Sequence, residues 1–384
     1  MIRYLAQPIT NDLTKKLVIL TGPRQAGKTT LSQNLGLQNP LYLNYDVLAD
    51  RKVLQSQSWG REHDFLVFDE IHKMPNWKAW LKGVVDAVPK SQTPLRAMLV
   101  TGSARMDTFR QSGESLAGRY FHWRLHPLSV GELTHLGGLK DDEAFARLMV
   151  RGGFPEPCLA GTDTEATRWR STYIDGLLRE DILEFSRIHE VNAMRVFLDA
   201  LRSRTGSPLS LASISRDMGV SHLTLKKYLD ILEALYIVFV VRPWHRNITR
   251  ATLQSPKVYF YDTGMVRGDA GAVFENLVAC HLLKRVHWQQ DAQGAKVDLH
   301  YIRTKDGAEV DFVLSREEEL THLIECKTRD STPHRALIRF AQQWPKAEAV
   351  QLLADTRHDQ DIQMPNETLI QIRKAPQWLN KLGI

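Results

Sequence analysis

The residues Gly22-Pro23-Arg24-Gln25-Ala26-Gly27-Lys28-Thr29 satisfy the phosphate-loop pattern G-x-x-x-x-G-K-[ST] in full. The chemistry needs these types. Glycines let successive backbone N–H groups wrap a phosphate chain, and the start of the following helix adds a favourable dipole. The Lys28 ammonium is expected to neutralise β- and γ-phosphate oxygens, and the Thr29 hydroxyl to ligate Mg²⁺. Residues Gly22 to Thr29, with the following Thr30, are therefore expected to line a site for ATP and Mg²⁺.

A second set of polar residues stands about 40 positions later, at the end of the apolar run Phe65-Leu66-Val67-Phe68. An Asp at the tip of a strand delivers a carboxylate to the metal shell, which assigns Asp69 to Mg²⁺. The adjoining Glu70 is the expected base for activating water. A third run, Ala97–Thr101, leads into Gly102-Ser103, and Ser103 is either a water-orienting residue or an ordinary turn serine. Asp69-Glu70-Ile71-His72 also fits a DExH box. No arginine-rich second motor domain follows residue 190, so His72 reads as a surface or helix-start residue.

These side chains require a particular scaffold. Short apolar runs at Leu17–Thr21, Leu41–Tyr45, Phe65–Asp69, Ala97–Thr101 and Tyr120–Leu125, separated by helical stretches, predict a parallel sheet flanked by helices. The expected organisation is an ATPase core at 1–127, a helical lid at 128–189, a winged helix at 190–262 and a C-terminal α/β domain at 263–384. The chain's 384 residues, 43% hydrophobic and 24% charged, suit a multidomain globular protein. The formal net charge of +6 is compatible with phosphate-rich partners without requiring them. No run approaches the ~18 apolar residues of a membrane span. Cys158, Cys280 and Cys326 are scattered, which argues against a zinc site or disulfide framework and for a reducing cytoplasm.

The order of phosphate loop, Asp69-Glu70 and polar Ser103 resembles the AAA+ ATPase superfamily. That resemblance implies an arginine finger at Arg119, just before the fifth strand, reaching a neighbouring copy in a homo-oligomer. A structural arginine paired with a carboxylate is the alternative.

In the middle of the chain, Leu209–Met218, a Gly219-Val220 turn, and a helix over His222–Tyr236 capped by Ser221 form a helix-turn-helix pattern, followed by a strand at Ile237–Val241. Leu225, Tyr228, Leu229, Leu232 and Leu235 share the core face; His222, Thr224, Lys226 and Lys227 lie opposite. The basic, aromatic-bearing stretch Arg242, Trp244, His245, Arg246, Arg250 and Lys257 favours DNA contact of low sequence specificity. A winged helix can equally dock a protein.

Beyond 270, Asp311 stands in a strand over Ala308–Leu314, and Glu325 and Lys327 alternate on the next, Leu323–Lys327. Residues i and i+2 of a strand share a face, so both point toward Asp311 if the strands pair. The helix–strand–strand–helix order, closed by a helix at Pro333–Gln343, resembles the PD-(D/E)XK restriction-endonuclease fold. It implies Asp311, Glu325 and Lys327 as catalytic residues, with Glu275, Asp311 and Glu325 holding Mg²⁺; retention of the fold for binding alone is the alternative.

The layout from the phosphate loop through Gly152-Gly153-Phe154-Pro155-Glu156, Asp262-Thr263-Gly264 and Ala308-Glu309-Val310-Asp311 to Glu325-Cys326-Lys327 resembles a bacterial and archaeal group of AAA+ ATPases. These carry a C-terminal domain of uncharacterised function with a nuclease-like core. The expected function is an ATPase acting on or near DNA, with metal-dependent cleavage left open. The alternative is an ATP-gated switch that binds a protein partner. Arg151, Arg168, Arg170 and Arg179 offer a lid arginine without a basis for choosing one.

Overall fold

The computed structural model describes residues 3–60, 62–87, 97–102, 116–183, 188–245, 255–355, 358–364 and 367–384. Two compact units emerge. One comprises Met1–Pro127 with Ala234–Tyr236 and Asp291–Gln293, and the other comprises Leu128–Glu233, Ile237–Gln290 and Gly294–Ile384.

The first unit is built on strands β1 (Leu17–Thr21), β2 (Pro40–Asn44), β3 (Phe65–Asp69), β4 (Ala97–Thr101) and β5 (Tyr120–Arg124). They form one parallel sheet in the order β2-β3-β4-β1-β5. Every residue of β1 and β3 is buried, as expected for a parallel sheet covered on both faces. Helices α1 (Ala6–Leu13), α2 (Lys28–Gln33), α3 (Leu48–Ser56) and α4 (Trp77–Asp86) accompany it. On one side Phe68 packs edge-on to Trp80 at 5.4 Å, with Trp59 5.5 Å from Phe68. Burying side chains of this size contributes about 1.5–3 kcal/mol each. The order places β4 between β1 and β3, so the tip of β4 stands between the phosphate loop and Asp69.

The second unit begins with helices α5 (Val130–His135), α6 (Asp141–Arg151), α7 (Pro155–Leu159), α8 (Asp163–Leu183) and α9 (Ile188–Arg202). The helix-turn-helix appears as α10 (Leu211–Met218) and α11 (His222–Ala234). Ser210 caps α10 by accepting from Ser213 N–H, and left-handed Gly219 ends it at φ 65°. Leu225, Tyr228, Leu229, Leu232 and Leu235 are all buried. The strand after α11, β6 (Val238–Pro243), pairs antiparallel with β7 (Lys257–Phe260) and also runs parallel to β8 (Val297–Arg303).

One eight-stranded sheet therefore takes strands from both sides of position 262, in the order β12-β13-β11-β10-β9-β8-β6-β7. The remaining members are β9 (Glu309–Arg316), β10 (Glu319–Lys327), β11 (Glu348–Leu353), β12 (Gln360–Gln363) and β13 (Leu369–Lys374). Helix α12 (Ala270–Gln293) is longer than its apolar pattern suggested; Asp269 caps it and left-handed Gly294 ends it. Helices α13 (Arg335–Gln343) and α14 (Ala375–Asn380) complete the described elements, and α13 buries Ala336, Leu337, Phe340 and Ala341 in a core shared with β9, β10 and β11. Strands β8, β12 and β13 escape sequence reading because their apolar residues are interrupted by Asp, His, Gln and Arg.

Two glycine-bearing turns become intelligible here through packing. Gly152, at φ 71°, lies so close to Asp262 that a Cβ would stand 1.7 Å from Oδ1. Buried Asp262 in turn accepts from Arg170 Nε at 2.7 Å and from Gly264 N–H at 3.2 Å. The Gly152 and Asp262-Thr263-Gly264 segments thus form one structural lock within the second unit.

Candidate functional site

The phosphate loop leaves β1 through Gly22 at φ 141°, where a Cβ would lie 2.3 Å from the Leu125 carbonyl oxygen. Only glycine fits that approach. Gln25 and Gly27 also take positive φ, at 59° and 94°, which turns the loop into α2. Lys28 is buried and donates to the carbonyls of Gly22 at 3.0 Å and Pro23 at 2.7 Å. Burial lowers its pKa to about 8, against the opposing charges of Glu70 and Asp69. Arg3 holds the loop from behind, donating to Ala26 O at 2.6 Å and His126 O at 2.5 Å.

Asp69 sits at the meeting point of three hydroxyls. Thr101 donates to Oδ1 at 2.5 Å, Thr29 stands 3.4 Å from Oδ2, and Tyr42 hydrogen-bonds the same oxygen. Burial, followed by the Asp69 contact, pushes the Tyr42 phenol well above its ordinary value. The neighbouring Glu70 takes a left-handed backbone at φ 55°, which turns it away from the strand direction. Its Oε2 lies 3.5 Å from His72 Nε2 and 3.6 Å from Lys73 Nζ, without a hydrogen bond. Burial raises the Glu70 pKa, opposed by Lys73. His72 is buried in a short 3₁₀ turn beside Glu70, not at the surface.

The structure thus brings Lys28, Thr29, Asp69 and Glu70 together. Arg119 lies elsewhere. It precedes Tyr120, which pairs with Leu17 at the start of β1, about 13 Å of strand before the phosphate loop. There it forms a bidentate pair with Asp86 at 2.9 and 3.1 Å. Ser103 lies outside the described residues. Tyr42, Thr101 and Arg3 carried no motif, and only the strand order reveals the first two.

In the second unit, the register Phe312↔Ile324 continues to place Asp311 across from Glu325. Asp311 Oδ2 accepts from Cys326 N–H at 2.9 Å. Lys327 Nζ and His334 Nδ1 lie 2.8 and 3.0 Å from Glu325 Oε1, while Oε2 has no hydrogen-bond partner among the described residues. Burial, then the charge of Asp311, pushes the Glu325 carboxyl up to about 8.

The other side of Asp311 holds a residue assigned from sequence to a surface basic stretch. Lys257 is 1% exposed, with Nζ 2.6 Å from Glu309 Oε1, 3.2 Å from Glu275 Oε1 and 3.6 Å from Asp311 Oδ1. Tyr259 donates to Glu275 Oε1 at 2.6 Å. Lys257 is therefore unavailable to DNA phosphates. The signal that could have found it is alternation: Lys257 and Tyr259 share a face of β7, as Glu309 and Asp311 share a face of β9. Among the described residues, no group of three or more His, Cys, Asp or Glu side chains is arranged to hold a metal ion.

On α11, His222, Leu223, Lys226 and Lys227 are exposed, with Leu223 at 76%. Arg242 is exposed on β6; Arg246 and Arg250 lie outside the described residues. Of the arginines considered for a lid, Arg170 pairs with Asp262 and Arg151 with Asp163 at 2.6 Å. The side chain of Arg179 lies outside the described residues.

Comparison with known proteins agrees with the N-terminal geometry. Residues 14–134 match an AAA domain, residues 142–272 a domain of unknown function (DUF8612) and residues 270–374 a domain of unknown function (DUF4143). The Uncharacterized protein Rv2008c of Mycobacterium tuberculosis is 31% identical over 314 residues, 77% of this chain and 67% of that protein. The chain belongs to the same family as this mycobacterial protein. An uncharacterized Haemophilus influenzae relative is 23% identical over 356 residues, 83% of this chain and 84% of its own length. Among solved structures, a Thermotoga maritima RuvB mutant aligns with TM-score 0.32 and 16% identity over 61% of this chain and 88% of that one. AMPPCP-bound DnaA from Aquifex aeolicus aligns with TM-score 0.32 and 14% identity, over 60% and 85%. The AAA domain of this family accounts for the parallel sheet and phosphate loop of the first unit. No described helix is long and apolar enough to cross a membrane.

Proposed function

We propose that the AAA domain binds ATP with Mg²⁺ and hydrolyses it. The observation that carries this reading is the convergence of the Asp69 and Glu70 charges on the Lys28 ammonium, with the Thr29 hydroxyl 3.4 Å from Asp69 Oδ2. Thr29 and Asp69 offer the hard oxygen donors that Mg²⁺ prefers and would hold it; the bound ion supplies charge neutralisation across the phosphates. Lys28 exchanges its two loop carbonyls for phosphate oxygens. Glu70, half-buried and free of a hydrogen bond at Oε2, accepts a proton from the attacking water. Thr101 and Tyr42 fix the Asp69 carboxylate in place as their hydrogen-bond acceptor. Glu70→Gln should retain ATP yet lower turnover by about two to four orders of magnitude. Steady-state ATPase assays with ATP-retention measurements check this, and undiminished turnover would remove Glu70 from the role.

Hydrolysis is read as coupled to DNA through the exposed His222, Lys226 and Lys227 of α11 with Arg242, which can meet phosphates with little base discrimination. A second reading, an ATP-gated switch for a protein partner, is favoured by Leu223. An aliphatic side chain 76% exposed among those cations suits an apolar interface better than a phosphate backbone. DNA-stimulated turnover selects the first reading; its absence, with a Leu223-dependent complex, selects the second. Arg119 would act in a neighbouring copy's site only after leaving Asp86.

A further inference from the structure

The nuclease-like resemblance implies a divalent ion among Glu275, Asp311 and Glu325, and the side chains do not fit one. A bound Mg²⁺ or Ca²⁺ gathers oxygens at about 2.0–2.6 Å. Here the centre of the cluster is an ammonium. Lys257 Nζ approaches Glu309, Glu275 and Asp311 at 2.6, 3.2 and 3.6 Å, and lies 5.3 Å from the centre of the Tyr301 ring. Glu325 is turned to a separate pair of partners, the Lys327 ammonium and the His334 imidazole. Asp311 is split between the two groups, one oxygen toward Lys257 and the other bound to the Cys326 amide.

We propose that Lys257 is the resident cation of this carboxylate cluster, standing where a metal-dependent nuclease would carry its ion, and that the C-terminal sheet is held closed by a fixed charge and does not load a divalent metal. An ammonium buried to 1% exposure survives only beside anions, and three carboxylates are placed around it. Backbone packing supports the same closure: left-handed Gly206, at φ 75°, comes so close that a Cβ would stand 3.0 Å from the Glu275 carboxylate.

This inference is independent of the ATPase reading, because its test uses nucleotide-free protein and its own reporter residue. Mn²⁺ binding to the full chain is counted from the electron paramagnetic resonance signal of the free ion. Wild type and Asp311→Asn should bind the same number of ions. Lys257→Met should bind one more, and Lys257→Met/Asp311→Asn should lose it; Lys257→Arg, which keeps the charge, should match wild type. A wild type that loses an ion on Asp311→Asn or on Glu309→Gln overturns the proposal, and this comparison stands even if Lys257→Met fails to fold. A folded Lys257→Met that gains no ion overturns it equally.

Discussion

At the scale of single residues, Lys28 and Arg3 show how the phosphate loop is prepared before nucleotide arrives. The Lys28 ammonium is charged below about pH 8 and loses its proton above it, because burial disfavours the charge. Phosphate favours the charged form, so binding raises the pKa again. ATP affinity should therefore fall as pH rises through 8, with net proton uptake on binding. Calorimetry in buffers of different ionisation enthalpy measures that uptake. Arg3 acts through backbone alone, spanning the Ala26 and His126 carbonyls from a buried position. Arg3→Ala should weaken nucleotide affinity by about tenfold, as loss of a charged hydrogen bond worth about 1.5–3 kcal/mol lets the loop wander. Conservation of turnover at saturating ATP would separate this positioning role from chemistry.

At the scale of elements, polar ties join helices that a sequence displays far apart. Lys284 of α12 reaches Glu132 of α5 at 2.5 Å and Ser129 Oγ at 3.0 Å, with both charged side chains almost wholly buried. Removing one partner strands the other in a low-dielectric interior. Lys284→Ala should destabilise the second unit by about 3–5 kcal/mol, read by urea denaturation, whereas Lys284→Met/Glu132→Leu should recover much of the loss. The lock formed by Gly152, Asp262 and Arg170 predicts a similar intolerance: Gly152→Ala forces a Cβ onto Asp262 and requires φ 71° of an L residue. The lid helices were legible in the sequence only as a helical stretch without individual bounds. Their ties were not, because a lysine or glutamate carries the same letter whether buried or solvated.

For the whole molecule, the net charge of +6 is a poor guide to a nucleic-acid surface. Lys257, Lys284 and Arg170 all pair with buried or half-buried carboxylates inside the second unit. The described cations still exposed around the helix-turn-helix are few, so any DNA contact should be electrostatic and weakly selective. Lys226→Ala/Lys227→Ala should weaken duplex binding equally across sequences and flatten its salt dependence by about two counterions, measured by fluorescence anisotropy between low and moderate salt. Equal salt slopes for variant and wild type would move any DNA site off α11.

The sequence by itself determined the nucleotide loop, the Asp69-Glu70 strand tip, five strand ranges of the first sheet to within one residue and the helix-turn-helix, because each depends on local spacing. A glycine's conformational freedom, a strand's apolar run and a helix cap act over a few residues and leave local marks. Only tertiary structure decided that Tyr42 and Thr101 meet Asp69, that β6 and β7 join the C-terminal sheet, and that Lys257 fills the carboxylate cluster. Those contacts depend on strand order and register across long stretches of chain, and a change of register reverses which side chains share a face.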